Sequence, residues 1–330
     1  MKAENGLRLG LCCIFHNEPI TFQTRQAKYI LRMARAEQLK MIASSISHNL
    51  QSLLKALRYC REHNIGCFRI SSRFLPLKTH PEVAYRLDEL PGARELFCQF
   101  SVCRQYSSDN NLRTTFHPDQ FTLLSSQRPD VTENSIRELL YHNEMAELLA
   151  ADVIMIHGGG AYHDKPATLK RLAEVVEGLP AGLRRRLAFE NDDRTYTPAD
   201  LLPVCRQTGI PLVYDVHHHR CNPDGLTEQE ATGEALKTWD REPLFHLSSP
   251  RENWTGRDKR SHHDLINIAD FPACWHGLKL TLELEAKAKE VAVESFRRDY
   301  EERFGGEGGA TADSGAGKIT VSLENPQVQS

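Results

Sequence analysis

Short apolar runs alternate with longer segments of mixed polar and apolar residues along most of the chain. The apolar runs are near-continuous, as expected for parallel strands that are covered on both faces. Eight of them lie at residues 7–14, 65–71, 112–117, 152–157, 186–191, 211–216, 243–248 and 277–285. The segments between them carry apolar residues at three-to-four spacing, which predicts helices at 37–63, 91–107, 131–150, 166–178, 198–207 and 227–238.

Eight strand-like runs that alternate with helices favour an α/β protein with a single (β/α)8 TIM barrel. An open, doubly wound sheet is the competing arrangement. Residues 286–304 are typical of a charged C-terminal helix, so we place the barrel domain at 7–304. We expect residues 1–6 to be a frayed N-terminus and the Gly-, Ala- and Ser-rich residues 305–330 to be a disordered low-complexity tail.

The composition narrows the class of protein. The 330 residues are 40% hydrophobic and 26% charged, an ordinary globular balance with enough chain for one large barrel or two domains. No apolar run approaches the roughly 18–20 residues that cross a bilayer, and no secretory signal is recognisable, so we expect a cytoplasmic protein with no membrane partner. Nine cysteines without a CxxC pair favour reduced thiols over a disulfide framework.

Histidine and carboxylate residues stand where the predicted strands end. The active site of such a barrel is built at the carboxyl ends of its strands, and those positions hold His117, His157, Glu190, Asp215, His217–His219, His246 and Glu285. Imidazole and carboxylate ligands together suit Mn²⁺, Zn²⁺ or Fe rather than Ca²⁺. The lack of cysteine at these positions argues against a structural zinc site. The pattern therefore predicts a metal centre at one rim of the barrel.

Spacing alone leaves some ligands undecided. Asp215 and His218 are three residues apart across a strand-to-loop turn, so both can reach one cavity. His217 and His219 would point away if the strand continued, and we expect at least one of them to be structural. Glu283 and Glu285 share a strand face, so the pattern does not choose between them. The net charge of −3 gives no support for a general attraction to nucleic acid.

A series of longer motifs resembles one family, the UV damage endonucleases. The motifs are RLG at 8–10, FRISS at 68–72, FHPDQF at 116–121, HGGGAY at 157–162, AFEND at 188–192, YDVHHH at 214–219, FHLSS at 245–249, SHHDLI at 261–266 and LEAKAKE at 284–290. The resemblance extends over roughly residues 7–290. It implies a TIM barrel with a cluster of metal ions, usually manganese, that nicks duplex DNA immediately 5′ to cyclobutane dimers and related UV photoproducts.

The resemblance also implies the ligands. It places them at His117, His157, Glu190, Asp215, His218, His246, His262 and Glu285, and so prefers Glu285 to Glu283. Two or three divalent ions are expected, with Mn²⁺ first and Zn²⁺ or Mg²⁺ as alternatives. We expect a monomer that associates with the nucleoid when it is bound to UV-damaged double-stranded DNA.

The same likeness suggests individual roles. Closely spaced ions bridged by Glu190 would activate water, and Asp215, His246 and Glu285 complete the ligands of this catalytic pair. His117 and His157 would share the ion of Glu190, whereas His218 and His262 would hold a third ion. Lys287 is a further catalytic candidate. Lesion and DNA contacts are expected at Gln120, Phe121, Leu11 and His80, with the ring of Phe121 able to wedge into a weakened base stack.

Three positions depart from the family pattern. Leu244 stands where a lysine that can be carboxylated to bridge metals is common, Leu11 replaces an aromatic residue, and Phe121 replaces a tyrosine. Because leucine cannot coordinate a metal ion, the third ion is in question. Two other functions compete with the endonuclease: a metal-dependent sugar isomerase or epimerase on the same barrel, and a damage-binding protein that has lost catalysis.

Overall fold

Eight parallel strands close on themselves at the centre of the structure, a computed structural model that describes residues 6–305. The strands β1 to β8 span Leu7–Cys12, Cys67–Ile70, Arg113–Phe116, Val153–His157, Leu187–Glu190, Leu212–Asp215, Leu244–Leu247 and Leu280–Leu284. Each strand pairs with the next in chain order, and β1 closes the ring against β8, with Leu7 opposite Leu280. The predicted single barrel is therefore confirmed, and the open sheet is excluded.

Helices surround the barrel and connect its strands. The helices α1 to α10 span Ala27–Ile30, Arg35–Glu62, Ala93–Asp109, Pro129–Leu149, Lys165–Glu177, Ala181–Arg184, Pro198–Thr208, Val216–Cys221, Glu228–Leu236 and Lys289–Phe304, and short 3₁₀ turns lie at Leu87–Glu89, Ile268–Asp270 and Ala273–Trp275. The long helices lie where the apolar spacing predicts them. The expected frayed end and tail, at residues 1–6 and 305–330, lie outside the described residues apart from Gly6 and Gly305.

Apolar side chains fill two regions. The larger one lies between the strands and the helices, and it contains Phe68, Phe116, Phe189 and Phe245. The smaller one is a cluster of Val153, Met155, Ala188, Val213 and Leu244. Because alternate strand residues point to opposite faces, this smaller cluster shares the inner face of the barrel with His157, Glu190, Asp215 and His246. It forms an apolar floor beneath those polar residues.

Two features of the described residues bear on the expected environment. The nine cysteines all lie within residues 6–305 and are unpaired there. Across the same residues, every helix is too short or too polar to span a bilayer.

The buried histidine of α4 provides a test of the packing. His142 has no exposed surface, and its Nδ1–H donates to the carbonyl oxygen of Glu138 over 2.8 Å. Burial lowers the pKa of His142 to about 4. A neutral imidazole stabilises the fold fully above the unfolded pKa of about 6.5, and this contribution of about 3 kcal/mol is lost as the pH falls from 6.5 towards 4.

We therefore expect the free energy of unfolding of the wild type to fall more steeply than that of His142→Gln between pH 6.5 and pH 4. Urea denaturation at several pH values measures this difference. His63→Gln is the control, because the side chain of His63 is 41% exposed and paired with Glu294 at the surface. Parallel losses of stability in the wild type and His142→Gln would show that His142 is not held neutral by burial.

Candidate metal centre

The side chains of this centre come from the carboxyl ends of six neighbouring strands. His157, Glu190 and Asp215 are the last residues of β4, β5 and β6. His246 lies within β7, and His117 and Glu285 directly follow β3 and β8. Since the strands are parallel and the barrel is closed, these ends meet at one rim. Residues far apart in the chain are thus brought within contact distance.

Glu190 lies at the middle of the group and is completely buried. One of its carboxylate oxygens, Oε2, is 2.8 Å from His117 Nε2 and 3.8 Å from His157 Nε2. The other, Oε1, is 2.9 Å from His246 Nδ1 and 3.4 Å from His218 Nδ1. The two oxygens therefore face different imidazoles, which is the arrangement expected of a bridging carboxylate.

Three groups of potential ligands share Glu190. They are His117 with His157, Asp215 with His218, and His246 with Glu285. Within each group, one ligand atom from each residue lies within 4.8 Å of the others. His262 is outside these groups, and its Nδ1 is 3.8 Å from Glu285 Oε2. The ring of His262 also lies beside that of His218, with 6.3 Å between the two centroids.

The local fold explains why His218 reaches the centre. The chain stops being a strand at Asp215 and turns at once into α8, because Asp215 Oδ1 accepts a hydrogen bond from the backbone N–H of His218 over 2.7 Å. His219 turns outward and bonds Tyr214 and Asp224, which gives it a structural role. His217 is buried beside the carbonyl oxygen of Arg260.

The carboxylates raise the pKa of two imidazoles of the centre, those of His246 and His218. Burial opposes the charged form of His246, but the facing carboxylate of Glu190 raises the pKa of this imidazole to about 10. Burial likewise opposes protonation of His218, and the charges of Asp215 and Glu190 raise its pKa to about 9. At these two positions the negative charge of the carboxylates therefore outweighs the effect of burial.

The donor set fits divalent ions. Asp215 Oδ2 and His157 Nδ1 are buried, and neither has a hydrogen-bond partner among the described residues. An unpaired buried carboxylate oxygen is costly unless a cation satisfies it. Mixed imidazole and carboxylate donors suit Mn²⁺ or Zn²⁺.

Sequence reasoning missed Arg69, a buried arginine of β2. Its Nε is 2.6 Å from Glu283 Oε2, one Nη is 2.5 Å from Glu285 Oε1 and the other is 2.8 Å from His246 Nε2. In the FRISS motif, Arg69 stands between Phe68 and Ile70, which pack against the helices. Because alternate residues of a strand point to opposite faces, this position was the signal that Arg69 points into the barrel. Burial alone would raise the pKa of Glu283, but the charge of Arg69 lowers it to about 2.

Leu244 lies two residues before His246 on the same face of β7. It is completely buried and packs in the apolar floor of the barrel. It offers no ligand to the centre.

The four residues expected to contact DNA differ in how far they are exposed to solvent. Phe121 is 74% exposed in the loop after β3, and Gln120 beside it is also exposed. His80 is half-buried in the loop after β2. Leu11, by contrast, has no exposed surface and packs between β1 and the surrounding helices. Its assignment to DNA contact is corrected accordingly, because a fully buried side chain cannot contact DNA.

A cavity of about 570 Å³ opens beside the centre. Arg260, Lys287 and Lys289 line it together with His262 and Glu285. Positive side chains thus lie next to the carboxylates. Such an arrangement suits a phosphate group, because the cations can bind its oxygens while metal ions held by the carboxylates contact its reacting atoms.

Known proteins share this sequence and fold. A model of the family described as UV-endonuclease UvdE matches residues 7–303. The UV DNA damage endonuclease of Bacillus velezensis is 36% identical over 299 residues, covering 87% of this chain and 91% of that relative. The crystal structure of SacUVDE aligns with a TM-score of 0.80 at 26% identity, covering 90% of this chain and 99% of that one. A D-psicose 3-epimerase from Clostridium cellulolyticum H10 shares the fold alone, at 12% identity and a TM-score of 0.53 over 90% of this chain and 97% of that one. The chain therefore belongs to the UV-endonuclease family of phosphodiester hydrolases.

Proposed function

We propose that this protein is a metal-dependent DNA repair endonuclease that incises duplex DNA immediately 5′ to UV photoproducts. The observation that carries the proposal is the convergence of three ligand groups on Glu190, beside a cavity lined by cations. A sugar isomerase would use one or two ions and would have no need for the third group or for the basic cavity wall.

The proposed ligands are the side chains at the rim. Glu190 would bridge two ions, and the remaining ligands are His117, His157, Asp215, His218, His246, His262 and Glu285. Manganese is the proposed metal, with zinc or magnesium as alternatives. When bound, such ions lower the pKa of water and stabilise charge on the attacking and leaving oxygens of a phosphodiester.

The chain's own residues bind and orient the DNA. Arg260, Lys287 and Lys289 present positive charge at the cavity wall, so they would hold the scissile phosphate by charge-assisted hydrogen bonds. The buried Glu190 fixes the imidazoles of His117 and His246 through contacts of 2.8 and 2.9 Å. These contacts hold the ligands in place before substrate arrives, which reduces the reorganisation needed during the reaction.

The exposed loop after β3 would detect the lesion. The backbone N–H of Phe121 bonds Asp119, which leaves the ring free to enter a base stack already weakened by damage. Gln120 would contact the bases opposite the lesion, and His80 would contact the backbone. The apolar ring of Phe121 supplies stacking area without a hydroxyl group.

We expect Phe121→Ala to weaken binding to a duplex with one thymine dimer by roughly 5- to 150-fold, since stacking on an aromatic ring contributes about 1–3 kcal/mol per base. Fluorescence anisotropy with Ca²⁺ in place of Mn²⁺ measures binding without incision. Phe97→Ala is the control, because Phe97 lies on α3 and is also partly exposed, at 38%. Equal affinities of Phe121→Ala and the wild type would exclude the wedge.

The proposed reaction is tested with purified protein, Mn²⁺ and a duplex that carries a single thymine dimer. We expect one cut immediately 5′ to the dimer, leaving a 3′-hydroxyl and a 5′-phosphate, and no cut in the undamaged duplex. Lesion-selective binding without any incision would indicate the damage-binding alternative. Absence of both binding and incision across a range of salt concentrations would refute the proposal.

A further inference from the structure

The two nitrogens of the His246 ring face different surroundings. Nδ1 faces the three carboxylates of the candidate metal centre, at 2.9 Å from Glu190 Oε1, 3.6 Å from Glu285 Oε1 and 3.9 Å from Asp215 Oδ2. Nε2 faces the opposite way, into the barrel, where it is 3.2 Å from Glu283 Oε2. Any ion held by this imidazole would therefore be bound through Nδ1.

Binding through Nδ1 determines where the ring proton lies. A neutral imidazole has one N–H, so a ring that gives its Nδ1 lone pair to an ion carries the proton on Nε2. That N–H needs an acceptor. Arg69 Nη lies 2.8 Å from Nε2 but has donors only, so it bonds this nitrogen only when Nε2 carries no proton. Once Nε2 is protonated, the ring must exchange the bond from Arg69 for one to an acceptor. Among residues 6–305, Glu283 offers the carboxylate that faces Nε2, with its Oε2 at 3.2 Å.

The position of Glu283 is held from several sides. Its Oε2 accepts from Arg69 Nε over 2.6 Å, and its Oε1 accepts from the hydroxyl group of Thr115 over 2.5 Å. On the neighbouring strand, Gly10 leaves the space for it, because a Cβ at that position would come within 2.8 Å of Glu283 Cγ. Non-bonded carbon atoms prefer separations of about 3.5–4.0 Å, so a side chain at Gly10 would displace this glutamate.

We propose that Glu283 is a positioning residue that accepts the Nε2–H of His246 and thereby presents Nδ1 to the metal centre. This proposal rests on the metal dependence of the proposed function. Arg69 supports this role, because its guanidinium pairs with the Glu283 carboxylate and holds that carboxylate beside the His246 ring. A carboxylate behind a ligating histidine fixes the ring orientation and increases its basicity. Glu283 thus acts through His246 and does not itself touch the ions or the substrate.

The barrel contains a matched control for this residue. Glu242 also accepts from an arginine and a threonine, namely Arg8 Nε over 2.7 Å and Thr281 Oγ1 over 2.6 Å. It lies at the amino-terminal end of the strands, away from every residue of the metal centre. Glu242→Gln therefore reproduces the loss of charge beside an arginine without changing the contacts of a histidine.

Titration of the metal-free proteins with Mn²⁺, followed by electron paramagnetic resonance, measures the affinity directly. We expect Glu283→Gln to raise the dissociation constant of at least one ion by about 10- to 100-fold, the usual effect of removing such a partner. Glu242→Gln should bind Mn²⁺ as the wild type does. Equal affinities of Glu283→Gln and the wild type would overturn the proposal and leave the metal centre intact, whereas a wild type that binds no Mn²⁺ would refute the proposed function itself.

A second measurement on the wild type does not depend on how the variants fold. Nitrogen-15 spectra of the zinc-loaded protein distinguish a histidine bound through Nδ1 from one bound through Nε2, and His246→Asn identifies the resonance. We expect His246 to be protonated on Nε2 and bound through Nδ1. A ring bound through Nε2 would overturn the positioning role of Glu283.

Discussion

Glu190→Gln is expected to abolish incision while leaving the affinity for the lesion largely unchanged. A glutamine has one carbonyl oxygen and no charge, so it cannot bridge two ions, whereas both carboxylate oxygens of Glu190 face potential ligand groups. Loss of several kcal/mol of charge stabilisation corresponds to a rate reduction of at least about 1,000-fold. Single-turnover incision of the dimer-containing duplex, together with anisotropy binding, measures both quantities.

The matched control is Glu242→Gln, which removes a carboxylate at the opposite end of the barrel. We expect it to cut at the wild-type rate under the same conditions. Incision by Glu190→Gln at a near-normal rate would show that this residue does not bridge the ions. A parallel loss of lesion affinity would instead mean that Glu190 also supports the DNA-binding surface.

Removal of the metal ions should have the second largest effect on incision, and it should also lower the thermal stability. Chelation is expected to stop incision and to lower the melting temperature by several degrees, because an ion at 100 times its dissociation constant adds about 2.7 kcal/mol of stability. Re-addition of Mn²⁺ should restore both. Scanning calorimetry and the incision assay follow the two changes, and the melting temperature of Glu190→Gln should respond less to Mn²⁺.

The affinity for Mn²⁺ should increase as the pH rises. In the metal-free protein the facing carboxylates raise the pKa of His246 to about 10 and that of His218 to about 9, so both rings carry protons at neutral pH. Ions must displace these protons. The apparent affinity for Mn²⁺ should therefore rise between pH 6.5 and pH 8.5, by roughly tenfold per pH unit for each displaced proton. An affinity that is constant over this range would contradict proton displacement.

The barrel could be predicted from the sequence because its signal is local. Each strand is a short apolar run, each long helix has three-to-four spacing, and their alternation gives the topology. The convergence of Glu190, Asp215 and His246 then follows from one geometric rule, that parallel strands end at the same rim. The family resemblance added a preference for Glu285 as a ligand. It also added His262, which lies in the loop after β7 and has no strand-end signal.

Other parts of the centre could not be predicted, because they depend on contacts between residues that are far apart in the sequence. Arg69 lies inside an apolar strand, and its role depends on partners more than 170 residues away along the chain. Glu283 could be recognised as inward-facing from the strand period, but its contact with His246 comes from the register of β7 against β8, which places the two residues opposite each other. The burial of Leu11 likewise reflects the face on which β1 packs against the helices.

Anomalous diffraction at the manganese absorption edge, from crystals of the Mn²⁺-loaded protein, would locate the ions themselves. Peaks should lie within coordination distance of Glu190, with further ligands drawn from the six strand ends that surround it. Manganese bound away from Glu190, or no peak among these imidazoles and carboxylates, would contradict a metal centre at this rim and the incision chemistry proposed for it.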